Sequence, residues 1–144
     1  MKISRSISIF NRIEETVAVT DLVEKTAFEA GFPQKDVYDI LIALDEILAN
    51  IVYYAYPKGE SGTIEIDLNF DGECLEIKFI DQGIAFDPLA KADPDLSVPV
   101  DQREIGGLGI YIVKKLMNDV IYTRDSDKNV LMISKVKNGV TNGY

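Results

Sequence analysis

Histidine and tryptophan are absent from the sequence, and Cys74 is its single cysteine. A chain without histidine cannot form a Ser-His-Asp or Cys-His nucleophile system, cannot carry phosphohistidine and cannot build a zinc site from cysteine and histidine. A single cysteine also excludes an internal disulfide. The lack of disulfides is typical of proteins from reducing compartments. These absences remove the common nucleophilic enzymes and the zinc proteins from consideration.

Basic residues are also few, since 15 lysines and arginines stand against 24 aspartates and glutamates and give a net charge of −9. Nucleic-acid backbones are bound mainly by lysine and arginine, so the composition predicts no direct nucleic-acid partner. It disfavours an anionic membrane surface for the same reason. A small anionic ligand is still compatible with this charge if local dipoles, a metal ion and one or two basic side chains hold it.

No long hydrophobic run is present. The most apolar stretch, residues 37–55, contains Asp39, Asp45 and Glu46, and three carboxylates are too many for a bilayer span. Residues 1–6 lead into an alternating pattern rather than into the apolar core of a signal peptide. The sequence therefore predicts a cytoplasmic protein.

The 144 residues predict one domain over residues 1–137 with a frayed C-terminal tail at 138–144. Strand and helix patterns follow the order β-α-α-β-β-loop-α-β-β, and short turns between neighbouring strands favour a mostly antiparallel sheet. The expected fold class is an α+β two-layer sandwich with three helices on one face of the sheet. The loop, residues 83–106, is long for a compact domain, and such loops are usually functional lids or disordered segments.

Asn11, followed three residues later by Glu14, resembles a capping box and predicts a helix that begins there and ends near residue 30. Residues 31–33, Gly-Phe-Pro, should end this helix and begin the next. The other predicted elements are helices over residues 33–55 and 107–118, strands over 3–10, 63–68, 75–79, 120–124 and 130–136, and a turn at 126–129.

The second predicted helix carries two polar residues, Glu46 and Asn50, one turn apart on the side opposite its apolar stripe. A purely solvated face would carry more lysine, arginine and glutamate. Instead the neighbours on this face are Ile42, Ala43 and Tyr53. This composition indicates a pocket wall, while an exposed i,i+4 pair beside a subunit contact is the alternative.

Two further groups of residues follow along the chain. Asp81 comes at the end of an apolar strand, where its carboxylate could accept a hydrogen bond from an exocyclic amine, and Gly83 would let a flat ring approach the backbone. The alternative is an ordinary Asp-x-Gly turn. Gly106, Gly107 and Gly109 open the third predicted helix, where exposed N–H groups and the helix dipole favour an anion. The alternative there is a flexible hinge.

Arg103 lies just before these glycines and could reach a terminal phosphate, or it could be a solvated charge. Together, the helical Glu-x-x-x-Asn, the Asp-x-Gly after a strand and the Gly-Gly-x-Gly before a helix resemble the N, G1 and G2 boxes of the GHKL (Bergerat-fold) ATP-binding superfamily. Within it, residues 81–88 and 106–117 are most similar to the anti-sigma-factor serine/threonine kinases of the RsbW type. The resemblance covers nearly the whole chain and implies the same two-layer fold.

The resemblance implies a role for each motif residue. Asn50 matches the ligand of the Mg²⁺ ion that bridges the ATP phosphates, Glu46 the acid that orients or deprotonates the attacking hydroxyl, and Asp81 the residue that reads adenine. The further nucleotide-binding positions that it implies are Gly83 beneath the adenine ring, Ala85, Arg103, Gly106, Gly107, Leu108, Gly109 and Ile110, with residues 85–106 as the ATP lid.

For function, the resemblance implies an ATP- and Mg²⁺-dependent serine/threonine kinase that phosphorylates a small STAS-like antagonist, binds a sigma factor or similar client and forms a homodimer. Ala49 and Ile51 flank Asn50 where the family often has threonine and alanine, and Tyr54 stands where it often has histidine. Because these residues differ from the family pattern close to Glu46, a second function stays open. The alternative is an ATP-binding module that gates partner binding without phosphotransfer. A histidine-kinase catalytic domain or a gyrase- or chaperone-like ATPase fits less well, because the sequence has no histidine and shows no transducing domain.

Overall fold

The computed structural model describes residues 1–90, 93, 96–97, 99 and 108–137 of the chain. The elements follow the predicted order. They are β1 (Ile3–Phe10), α1 (Thr16–Glu29), α2 (Gln34–Tyr54), β2 (Thr63–Phe70), β3 (Cys74–Asp81), α3 (Leu108–Leu116), β4 (Asp119–Asp125) and β5 (Lys128–Val136). The predicted tail at 138–144 and part of the predicted loop lie outside the described residues.

The five strands form one antiparallel sheet in the order β1-β2-β3-β5-β4. Alternate residues of each central strand are buried, such as Ile64, Ile66 and Leu68 of β2, and all three helices contribute to the core on that face. The apolar stripe of α2 lies at the centre of this core, with Leu44 fully buried. The predicted α+β two-layer sandwich is therefore confirmed.

The chain turns between α1 and α2 at Gly31, whose φ of 89° is the left-handed conformation that often ends a helix. The amide of Phe32 donates to the carbonyl of Ala27 at 3.1 Å and satisfies one of the last acceptors of α1. Pro33 follows and fixes the extended backbone before the first turn of α2. The Gly-Phe-Pro segment ends one helix and begins the next, as predicted.

The predicted capping box at Asn11 is wrong. A 3-10 turn, Ile13–Glu15, follows β1, and α1 begins directly after it. The side chain of Asn11 instead spans the loop before β2, donating to the carbonyl of Glu60 and accepting from the amide of Gly62, both at 2.9 Å. Because β1 and β2 are paired up to their shared end, that loop lies next to Asn11, and the long-range contact prevails over the local cap.

The hairpin between β4 and β5 is tighter than predicted, because Asp125 pairs with Lys128 and only two residues connect the strands. The predicted turn at 126–129 is therefore wrong in its second half, which belongs to β5. As a result, Asn129 lies in a strand, directly opposite Asp81 at the end of β3.

Candidate functional site

Asp81 is the last residue of β3 and is only 4% exposed. Its Oδ1 accepts two hydrogen bonds at 2.9 Å, one from the amide of Gly83 and one from Nδ2 of Asn129. Among the described residues, none donates to Oδ2. The carboxylate is thus held from one side and keeps an acceptor on the other.

Asn129 fixes this orientation. Its Nδ2 also donates to the carbonyl of Ile84 at 2.8 Å, while its Oδ1 accepts from the hydroxyl of Tyr122 at 2.5 Å and from Nη1 of Arg124 at 3.1 Å. Both donors and both lone-pair sites of the amide are therefore used, so the side chain cannot turn without losing several bonds at once. Asn129 is not among the predicted site residues, although the alternation of Leu131 and Ile133, extended back by two residues, places it on the buried face of β5.

Gly83 packs against the C-terminal end of α2. The amide of Ile84 donates to the carbonyl of Ala55 at 2.8 Å, and a Cβ on Gly83 would lie 2.1 Å from that carbonyl oxygen. Any side chain here would force two backbone segments apart. The absence of a side chain at Gly83 thus has a packing reason that is separate from its expected place beneath a ring.

Tyr56 closes the same end of the site. Its hydroxyl donates to the carbonyl of Thr63 at 2.6 Å and accepts from the amide of Gln82 at 2.9 Å. Burial raises the pKa of Tyr56; the hydrogen bond from Gln82 lowers it and the charge of Asp81 raises it. The phenol accordingly stays protonated and keeps its donor. Its two hydrogen bonds connect Gln82, the residue after Asp81, to Thr63 at the start of β2.

Glu46 lies against the first turn of α3. A Cβ on Gly109 would be 2.5 Å from Oε2 of Glu46, so the carboxylate occupies the space that this glycine leaves. Glu46 is half-buried and Asn50, one turn later, is exposed. Within the described part of the chain, neither side chain has a recorded hydrogen bond or ion pair. The alternative of an exposed i,i+4 pair therefore does not describe Glu46, because its side chain is half-buried.

The apolar residues beside Glu46 and Asn50 on this face of α2 differ in burial. Ala43 is fully buried in the core, whereas Ile42 and Tyr53 are exposed. The interpretation of this face as a pocket wall therefore stays a prediction.

The remaining predicted positions divide into three groups. Leu108, the first residue of α3, is exposed, as is Ala85. The side chain of Ile110 packs into the core, so only its main chain could face a ligand. Arg103, Gly106 and Gly107 lie outside the described residues.

The helix α2 connects the two ends of the site. Glu46 near its middle contacts the start of α3, and Ala55 after its last turn contacts the segment that follows Asp81. Nine residues separate these contacts, which corresponds to about 14 Å of helix. This span is comparable to the length of an extended nucleoside triphosphate.

Among the described residues, no group of three or more aspartate, glutamate or cysteine side chains could hold a metal ion. Mg²⁺ prefers oxygen ligands and is usually bound by few protein groups together with substrate phosphates. The exposed amide of Asn50 fits such a shared site. Within the same residues, no helix is both long and apolar enough to cross a membrane.

Comparisons with known proteins identify the family of the chain. The histidine kinase-like ATPase domain family matches residues 10–135. The serine-protein kinase RsbW of Bacillus cereus (strain AH187) is 35% identical over 128 residues, which cover 85% of this chain and 79% of that protein, and RsbW of Bacillus anthracis gives the same figures.

A solved structure supports the fold. The crystal structure of the RsbU and RsbW domains of a Mycobacterium tuberculosis protein superimposes with a TM-score of 0.67 at 15% identity, covering 96% of this chain and 34% of that one. This chain therefore spans about a third of the chain in that crystal structure. The predicted family is confirmed: the chain belongs to the histidine kinase-like ATPase domain family and, within it, groups with the RsbW serine-protein kinases.

Proposed function

We propose that the chain is an ATP- and Mg²⁺-dependent protein kinase that phosphorylates a serine or threonine of a small STAS-like antagonist. The observation that carries this proposal is the place of Glu46. Its carboxylate is half-buried, has no described partner and lies at Gly109, where the N-terminal end of α3 favours an anion.

Adenine would bind at the other end of α2. Oδ2 of Asp81 would accept a hydrogen bond from the exocyclic amine, and Gly83 would lie beneath the ring. Guanine carries a carbonyl oxygen at the position of that amine, so it would place two acceptors opposite each other. The proposed site therefore prefers ATP to GTP.

The phosphates require local positive charge, because the protein carries a net charge of −9. Asn50 would supply an oxygen ligand for Mg²⁺, and Leu108 and Gly109 at the start of α3, with Gly107 before them in the sequence, would supply main-chain donors. Gly106, Arg103, Ala85 and the main chain of Ile110 complete the proposed set. Mg²⁺, when bound, neutralises charge on the phosphate oxygens.

Transfer then depends chiefly on position and on one proton acceptor. Glu46 orients the substrate hydroxyl and accepts its proton. The hydroxyl oxygen forms a bond to the γ-phosphorus while the bond from that phosphorus to the β–γ bridging oxygen breaks. ADP leaves with the electron pair of the broken bond.

The proposal extends to partners. Two curated relatives are named serine-protein kinases, and the family resemblance implies a STAS-like antagonist and a sigma factor or similar client. We therefore propose a homodimeric anti-sigma regulator in the bacterial cytoplasm. Its negative charge makes direct contact with nucleic acid unfavourable.

A second candidate function is a nucleotide-gated binding module that transfers nothing. The residues that favour it are Ala49 and Ile51 beside Asn50, and Tyr54, because they depart from the threonine, alanine and histidine common at these positions in the family and could change the orientation of Glu46. Incubation with γ-labelled ATP and a panel of purified STAS-domain proteins separates the two. Label in the STAS protein identifies a kinase, whereas nucleotide-dependent co-elution without label identifies the module.

Substitution of Gly109 by alanine should slow transfer without unfolding the protein. The new methyl would take the space of the Glu46 carboxylate, whose flexible end can move away, while alanine is the better residue in a helix by up to about 1 kcal/mol. We expect the transfer rate to fall about tenfold or more and the free energy of unfolding in urea to be unchanged or higher. An unchanged rate would show that the contact between Gly109 and Glu46 has no part in transfer.

A further inference from the structure

A buried lysine lies outside the site described above and links three elements of the fold. Lys135 of β5 is only 1% exposed. Its Nζ donates to the carbonyl of Leu116, the last residue of α3, at 2.6 Å and lies 3.6 Å from Oδ2 of Asp39 in α2. The same carboxylate oxygen accepts a hydrogen bond from the exposed Lys35 at 3.1 Å.

Burial of this ammonium is costly, and two groups compensate it. Burial lowers the pKa of Lys135, and the neighbouring charge of Asp39 is the main effect that raises it. The carbonyl of Leu116 belongs to the end of a helix, where acceptors are unpaired and the dipole favours a cation. A buried pair of this kind adds little net stability over apolar residues of the same size, so its main consequence is geometric.

The geometry connects Lys135 to the proposed phosphate site. Asp39 and Glu46 are seven residues apart, which places them on the same side of α2 about 10.5 Å from each other. Leu116 and Gly109 are also seven residues apart in α3. The two helices therefore run antiparallel with matched contacts: Lys135 joins Leu116 to Asp39 at one end, and Gly109 meets Glu46 at the other.

We infer that Lys135 is a positioning residue that sets how far α3 extends along α2 and hence where its N-terminal end lies relative to Glu46 and the terminal phosphate. The inference rests on the proposed function. If Leu116 loses its bond to Lys135, α3 is free to slide or tilt, and small displacements of reacting groups have large effects on transfer.

The test uses the double variant D39N/K135M, in which neither buried charge is left without its partner. We expect a folded protein whose ATP affinity falls about tenfold while its ADP affinity changes less than about threefold, because the end of α3 would face the terminal phosphate. Amides of α3 should exchange hydrogen faster even without nucleotide. Calorimetry and hydrogen–deuterium exchange measure both.

The control is K35M, which removes the exposed lysine that bonds Asp39 from one turn earlier in α2 and leaves the bond between Lys135 and Leu116 in place. It should leave both affinities and the exchange of α3 as in the wild type. If the double variant does not fold, D39E moves the carboxylate by one methylene and keeps its charge, and the ratio of ATP to ADP affinity should again fall.

A folded variant with the wild-type affinity ratio and wild-type exchange of α3 would overturn the inference and leave Lys135 a structural ion pair. Failure of the proposed function gives a different result. In that case the wild type itself binds neither nucleotide, while faster exchange of α3 in D39N/K135M still supports the positioning role.

Discussion

Replacement of Glu46 by glutamine should lower the rate of phosphoryl transfer by roughly 10²–10⁴-fold and leave ATP binding close to that of the wild type. Glutamine has nearly the same shape, so it still fills the space beside Gly109. It cannot accept a proton from the attacking hydroxyl. The chemical step is therefore lost while the packing of α2 against α3 is kept.

The rate is measured with γ-labelled ATP and the STAS-domain substrate, and ATP affinity by calorimetry. Asp45→Asn is the matched control, because it removes the adjacent carboxylate of the same helix, which points to another face. Burial raises the pKa of Asp45, but among the described residues no hydrogen bond or ion pair of its side chain joins it to α3. A normal transfer rate in E46Q would remove Glu46 from the proposed mechanism.

Substitution of Asp81 by asparagine should weaken ATP binding by about 100-fold or more. In the folded protein, Oδ1 already accepts from Gly83 and Asn129, and the proposed adenine amine needs Oδ2 as a third acceptor. An asparagine amide has one oxygen, which accepts, and one NH₂ group, which only donates. Whichever way it turns, its NH₂ faces another donor in a buried site, so at least one hydrogen bond is lost.

The same substitution should change base specificity. The side-chain NH₂ that D81N introduces can donate to the carbonyl oxygen of guanine, so the ratio of ATP to GTP affinity should fall further than a loss of stability alone would explain. Asp125→Asn, at the exposed end of β4, is the control and should leave both affinities unchanged. An unaltered ATP to GTP ratio in D81N would contradict the role of Asp81 in reading adenine.

The features that the sequence predicted correctly are those set by the spacing of residues close together in the chain. The apolar stripe of α2 determined both the core face and the opposite face that carries Glu46, because a helix repeats every 3.6 residues. The Asp-x-Gly at the end of β3 was visible for the same reason, since a strand and the turn after it are contiguous in the chain.

The features that could not be predicted from the sequence depend on which strands pair and which segments pack together. Asn129 was assigned to a turn, and only the register between β3 and β5 brings it to Asp81. Lys135 lies six residues further along β5 on the same buried face, and its partners come from α2 and α3. Asn11 failed as a cap because a loop about 50 residues away offers it two backbone partners. Such contacts follow from tertiary packing and have no local signature.

The most direct test of the proposed nucleotide site is a calorimetric titration of the purified wild-type protein with ATP, with and without Mg²⁺, followed by ADP and GTP. We expect one ATP bound per chain, with an affinity that depends on Mg²⁺ and exceeds that for GTP. Absence of ATP binding in both conditions would contradict the proposed nucleotide site and with it the kinase activity assigned to Glu46.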